Sequence, residues 1–418
     1  MTSGTQSHPV MLRRALLSDS GLSLLLHGLK SGLALLVNWL VLAHFASADY
    51  VTWAVTSSVL IVATASDLGI GQYTTTRLLH TPRGQWSMVL REATAALLPL
   101  SLIGSIFVYV ALGAQPAVYK AAMATCIGLR ILTIPSGALL NAINQFKLRK
   151  AIETTVYLAA AAVIAVLAWT QAPILCALLA LNIAFLFGGG LTVVAARRHV
   201  PATQIACAST PAPAQSLRTV YWSSAPYLVN NLTGLLTYGG FIWLCSLFLA
   251  TEALARLSVL HTFILINAYQ IYDVLLKSRQ GDLIHAEHAA RMGRVNTALM
   301  ALTPVLALTL CPTVLGWFAP RLSFPDAELL LFGAFLSLEF GFLYLLSVMQ
   351  VDPAKAAVLT RCSLVKFVAQ ATTLSACIAM QTRATTLIPF LLAVSLTTAV
   401  GYAICLRQLR SVPVKTGG

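Results

Sequence analysis

Seven ionisable side chains stand where charge is hardest to keep, inside long apolar runs. Lys30, Arg130, Arg361 and Lys366 are the bases; Asp67, Asp273 and Glu339 are the acids. A charged group facing hydrocarbon costs several kcal/mol, so each of these must face a partner or a water-filled cavity. Pairing answers for some of them, with Glu339 placed to meet Arg130 or Lys366. It cannot absorb all of them, because four bases face three acids. The excess predicts a mildly cationic interior that suits an anionic headgroup, such as a pyrophosphate, better than a cationic drug. The four bases are therefore the candidate substrate-binding residues. Lys120, Glu153 and Arg256 lie close enough to span ends to snorkel.

Other chemistry is not signalled. No metalloenzyme spacing, nucleophile elbow or P-loop occurs, so neither a metal nor a cofactor is expected. The eight cysteines (126, 176, 207, 245, 311, 362, 377, 405) are scattered and read as small apolar residues. Asn231-Leu-Thr233 has the form of a glycosylation sequon but falls inside an apolar run. A polymerase or glycosyltransferase would need a sizeable loop for its acid and base groups. The longest candidate on the side opposite the basic loops, 318–327, is short and Pro-rich. The chain therefore reads as a transporter and not an enzyme.

The elements that must hold these charges are membrane helices. Of 418 residues, 58% are hydrophobic and only 10% charged, where soluble domains carry about a quarter charged residues. The net charge of +14 comes from Lys and Arg in short clusters between apolar runs, not from a solvated basic face. Nucleic acid is excluded as a partner on that ground. Hydropathy predicts twelve spans: 21–45, 51–72, 93–113, 118–143, 152–171, 173–195, 222–249, 253–276, 295–317, 328–349, 356–379 and 385–406. Most are long enough to cross roughly 30 Å of hydrocarbon as helix. The first run is too long for a signal-peptide core and is interrupted by Lys30, so it reads as a span.

A cytoplasmic N-terminus puts nineteen basic loop and tail residues on one side and only Arg321 and Arg383 on the other. That asymmetry predicts both termini in the cytoplasm. The domains expected are a cytoplasmic N-terminus (1–20), a six-helix bundle (21–195), a linker (196–221) carrying Pro201, Pro211 and Pro213, a second six-helix bundle (222–406) and a tail (407–418). Phe45-Ala-Ser-Ala-Asp49 matches Phe248-Leu-Ala-Thr-Glu252 at an offset of 203, as a parallel repeat would. Gly28 and Gly32 predict a close helix approach beside Lys30, and Gly188-Gly-Gly190 a packing or flexible point. Tyr227, Asn230, Asn231, Thr237 and Tyr238 form a polar stripe on the seventh span, as either cavity lining or interhelical bonding.

Several short motifs then resemble one family. They are Ala48-Asp49-Tyr50-Val51-Thr52-Trp53, Asp67-Leu68-Gly69-Ile70 leading to Arg77, and Pro135 followed by Asn141-Ala142-Ile143-Asn144-Gln145. Ser224-Ala225-Pro226-Tyr227 opens the seventh span. Together they are similar to O-antigen flippases (Wzx type) of the MATE-like multidrug/oligosaccharidyl-lipid/polysaccharide exporter superfamily. Many of those proteins carry an Asp or Arg late in span seven, where this chain has Tyr238-Gly239-Gly240. The resemblance implies an all-α polytopic fold of two six-helix bundles around a cavity that opens alternately to each side. The implied cargo is undecaprenyl-pyrophosphate-linked oligosaccharide, carried from the cytoplasmic to the periplasmic leaflet of a bacterial inner membrane. Membrane lipids and a polysaccharide polymerase with its assembly machinery are the further partners it implies. Countertransport of H⁺ or Na⁺ follows from the same resemblance, with Asp67, Asp273 and Glu339 as the coupling candidates. The alternative within the superfamily is a small-molecule exporter.

Overall fold

A computed structural model of the chain describes residues 19–64, 67–113, 115–143, 145–199, 215–234, 239–278, 286–350, 356–380 and 384–410. Helices follow one another almost without interruption, because the apolar runs satisfy their own backbone polar groups only as helices once they lie in lipid. In chain order they are α1 (Asp19–His44), α2 (Ser47–Thr64), α3 (Ile70–His80), α4 (Trp86–Ala111), α5 (Ala117–Leu132) and α6 (Ile134–Ala142). α7 (Phe146–Trp169), α8 (Ile174–Arg197), α9 (Leu217–Gly234) and α10 (Phe241–Cys245) come next. The last are α11 (Thr251–Val259), α12 (Ile266–Ser278), α13 (Ala286–Phe318), α14 (Asp326–Gln350), α15 (Ala356–Ala379) and α16 (Ile388–Arg410). α5 and α6 are separated only by Thr133, and a π-helical segment joins α11 to α12, so each of these pairs runs on as one helical stretch. Among the described residues eight helical stretches are long and apolar enough to cross a membrane, one of them α5 and α6 together.

Two of these helices show a one-sided exposed apolar face. On α16, Leu392, Leu396, Val400 and Ile404 are exposed at a spacing of four, while Leu391, Val394, Thr398 and Cys405 are buried. α4 repeats the pattern with Leu98, Leu102, Ile106 and Val110 outside and Leu97, Leu100 and Val108 inside. Exposed stripes of that kind suit hydrocarbon and not water.

The described helices divide into two compact units. The first contains α1 and residues Ala63–Tyr227; the second contains Phe45–Val62 and the chain from Leu228 onward. α2 is fastened within the second unit by Ser58, whose hydroxyl donates to the Gly239 carbonyl (2.5 Å) and accepts from the Trp243 N–H (3.1 Å).

Two local departures matter for the charges. The second span does not run unbroken to residue 72. α2 stops at Thr64, Leu68 and Gly69 take left-handed φ of 49° and 77°, and α3 restarts at Ile70. Asp67 caps that restart, its two oxygens accepting the N–H groups of Gly69 (3.1 Å) and Gly71 (3.2 Å). α3 then packs Ile70, Thr74 and Leu78 inward, joining a core of Leu78, Trp86, Val89, Leu139, Leu140 and Ala196. In the second unit a π-helical segment, Leu260–Leu265, interrupts the eighth pass and stacks His261 on Phe241 at 5.4 Å. The close approach expected at Gly28 and Gly32 is absent, since a Cβ at either position would meet nothing within 4 Å.

Candidate functional site

The internal charges are treated in two ways. Two networks in the second unit are sealed. Glu339 on α14 is fully buried, accepting from Lys366 Nζ at 2.5 Å and from Gln370 Nε2 at 3.1 Å. Lys366 is 5% exposed and packs its ammonium over the Phe342 ring at 5.2 Å. Glu328, also fully buried, accepts from Arg256 Nε (2.9 Å) and Nη2 (3.1 Å) and from the Leu387 N–H (3.0 Å). Arg256 reaches the Thr385 carbonyl and Glu252 besides, so it is buried in a network and does not snorkel. A buried carboxylate with both oxygens occupied holds helices in register and is closed to a ligand.

In the first unit one cluster of charges stays open. Glu153 on α7 accepts from Lys30 of α1 (2.8 Å), from Lys150 (3.0 Å) and from Arg149 (3.1 Å). Its side chain is 24% exposed and that of Lys30 is 25% exposed. Lys30 also lies 5.6 Å from the Tyr157 ring centroid; Tyr157 meets Phe185 edge-on at 5.0 Å, and Arg130 stands 4.7 Å over Phe185. Among the described residues Arg130 has no carboxylate partner; its contact is the aromatic face. Four bases against one carboxylate leave this cluster with a formal charge of +3.

Two glycines of α8 explain why these residues meet. A Cβ at Gly188 would come within 2.7 Å of Val156 Cγ2, and one at Gly189 within 2.9 Å of Thr133 Oγ1. α7 and the end of α5 therefore press directly on α8, one turn from Phe185. Tyr157, the neighbour of Val156, reaches Phe185 from one side. Arg130, one turn before Thr133, reaches it from the other. Thr133 donates to the Arg130 carbonyl at 2.7 Å, and α6 restarts with Pro135 in its first turn. That break frees α5 to end at the cluster.

Of the seven residues predicted from sequence, the structure brings only Lys30 and Arg130 into this open cluster. Lys366 and Glu339 pair with each other in the second unit. Asp67 caps α3, and Arg361 is exposed on α15. Asp273 falls on α12, and its side chain lies outside the described residues, as do those of Asn230, Asn231, Thr237 and Tyr238. Arg149, Lys150 and Glu153 were not read as site residues. Their spacing around one acid at i−4 and i−3, beside a deep lysine with no acid in its own apolar run, is the signal that could have found them. A second internal pair, Arg77 with Glu92, sits in the first unit, where Glu92 also accepts the Gln215 N–H at 2.9 Å. Tyr73 donates to the Gln215 side chain (2.8 Å), tying the start of α9 to α3 and α4.

Comparison with solved structures places this architecture. An inward-facing multidrug resistance MATE family transporter of the MOP superfamily matches 94% of this chain and 100% of its own, at a TM-score of 0.63 and 11% identity. A MOP superfamily transporter from Pyrococcus furiosus, described as having a binding pocket of reversed polarity, matches 95% of this chain and 94% of its own at 0.49 and 11% identity. An outward-facing MATE family transporter matches 95% and 96% at 0.49 and 12%. The fold is thus that of the MATE transporters, a multi-pass membrane fold. No family model matches the chain, and no curated protein matches its sequence.

Proposed function

We propose that this chain is an alternating-access transporter for an anionic, lipid-linked cargo. Its substrate on this reading is undecaprenyl-pyrophosphate-linked sugar repeat units, moved from the cytoplasmic to the periplasmic leaflet of a bacterial inner membrane. The observation that carries the reading is the open +3 cluster of Lys30, Arg130, Arg149, Lys150 and Glu153 in the first unit. Sugar hydroxyls and a diphosphate cannot cross hydrocarbon at a useful rate, and a polar, cationic groove lowers that barrier. The basic loops support an orientation with both termini cytoplasmic. Coupling to H⁺ or Na⁺ needs a carboxylate free to change state, and Asp67, Asp273 and Glu339 are the proposed candidates. Asp67 and Glu339 have both oxygens engaged, and the Asp273 side chain lies outside the described residues.

A small-cation exporter of the same fold would need an acidic interior, and the accessible cluster has the opposite sign. The deciding experiment is deletion of the gene in its own host. Cells lacking the chain should accumulate lipid-linked oligosaccharide on the cytoplasmic face, and plasmid-borne wild type should clear it where Lys30→Ala does not. No accumulation, together with gained sensitivity to cationic dyes, would overturn the flippase reading in favour of the exporter.

A further inference from the structure

Glu153 differs from the other internal carboxylates in a way that bears on cargo release. Glu339 and Glu328 are fully buried, each bonded to a base from another helix. Glu153 is accessible, and two of its three bases, Arg149 and Lys150, come from its own helix. Only Lys30 reaches it across helices. If the bond to Lys30 opens, Glu153 keeps two partners and is not stranded. Nearby, Arg130 stands over Phe185 within electrostatic reach of Glu153, but among the described residues it makes no salt bridge to a carboxylate.

We propose that Glu153 is a resident counter-anion which the cargo's diphosphate displaces from Lys30, and which expels that diphosphate when it returns. This rests on the anionic-cargo reading above and assigns the step that reading lacks. A diphosphate diester carries two negative charges and would bridge Lys30 and Arg130, the two bases that face each other across the Tyr157–Phe185 pair. With Glu153 in place the site keeps a charge of +3 instead of +4, so the anion is attracted without being trapped. A transporter needs both halves of that balance, entry and exit, from one site. The recognised chemistry is the diphosphate diester, which either a prenyl-linked sugar or a soluble nucleoside diphosphate sugar could present.

The test uses the full chain in nanodiscs of zwitterionic lipid, titrated with a short prenyl-diphosphate-linked sugar and separately with a nucleoside diphosphate sugar. Glu153→Gln should bind the prenyl probe about tenfold more tightly than wild type, as expected for removing one negative charge at several ångströms in a partly hydrated site. The gain should vanish in Lys30→Gln/Glu153→Gln, and turnover in proteoliposomes should fall although binding improves. Should Glu153→Gln fail to fold, Glu153→Asp keeps the charge beside Arg149 and Lys150 but withdraws it from Lys30, and about threefold tightening is expected. Wild-type binding with no tightening in the folded variant overturns the counter-anion role and leaves the anionic-cargo reading standing. Absence of binding by folded wild type and variant alike overturns both. Tightening for the nucleoside diphosphate sugar alone keeps the exchange step and overturns the lipid-linked cargo.

Discussion

Replacing Lys366 by Met should destabilise the second unit rather than remove a cargo contact. Glu339 is 0% and Lys366 5% exposed, and the change takes the cation away from the carboxylate while Gln370 still donates to it at 3.1 Å. Stranding one partner of a buried pair costs about 3–5 kcal/mol, a large fraction of the roughly 5–15 kcal/mol that holds a folded domain together. Lys366→Met should therefore lower the amount of folded protein in the membrane and its Tm in detergent, both readable by fluorescence-detected size exclusion. Adding Glu339→Gln removes the stranded charge. That double variant should recover stability to within about 1 kcal/mol of wild type, since neutral replacements of buried pairs are often tolerated. Export activity should follow the folded amount in both variants. If Lys366→Met folds with an unchanged Tm and export is lost, Lys366 touches cargo and the reasoning from burial fails.

Four further outcomes are expected. Arg256→Met should lower Tm at least as much as Lys366→Met, because Glu328 is fully buried, whereas exposed Arg361→Ala should leave Tm unchanged; equal effects would contradict the burial argument. Gly189→Ala should cost about 1–3 kcal/mol through overpacking against Thr133, and Thr133→Ala in the same chain should restore the loss in a thermal-unfolding series. Lys30→Ala should abolish export while the protein still inserts, and Lys30→Arg should retain part of it; full activity in the Ala variant at normal expression refutes a role in binding. Reversal of Arg130 to Glu should impair export more than Arg130→Ala at equal membrane levels, since it adds repulsion to lost attraction, and equal impairment would argue against long-range anion attraction.

The passes were legible in the sequence because each is a run of about twenty apolar residues, and averaging over such a run is insensitive to single residues. The same averaging hid Asp67-Leu68-Gly69. A reversal three residues long disappears inside an apolar window, and only the left-handed φ values reveal it. Site residues were legible where a charge sat alone in mid-span, as Lys30 and Arg130 do. Glu153 and Arg256 were set aside because they lie at the edges of apolar runs, where a side chain can reach water, and Glu328, at the first position of a predicted span, was not singled out. Whether it does so depends on what the neighbouring helix presents. Lys30 draws Glu153 inward, and Glu328 does the same to Arg256. Which base pairs with Glu339 was likewise open in the sequence, because spacing along a chain does not say which helices become neighbours.

α13 has thirty-three residues and so measures about 50 Å at 1.5 Å per residue, well beyond the hydrocarbon thickness of about 30 Å. Its outward apolar residues, Val295, Leu302, Val305, Leu310, Val314 and Trp317, run from its third turn to its C-terminal end, and Arg291 and Arg294 are exposed near its start. The helix therefore has several turns more than that thickness needs, and those before Val295 form a post. Tyr344 braces that post by donating to the Ala289 carbonyl at 2.6 Å, and the Tyr272 hydroxyl bonds Asn296 at 2.5 Å. On the proposed orientation Arg291 and Arg294 lie on the cytoplasmic side, where an arginine near an anionic leaflet contributes about 1 kcal/mol. The surface charge of the bilayer would then act on the tilt and depth of α13, which makes lipid composition a variable for any transport assay.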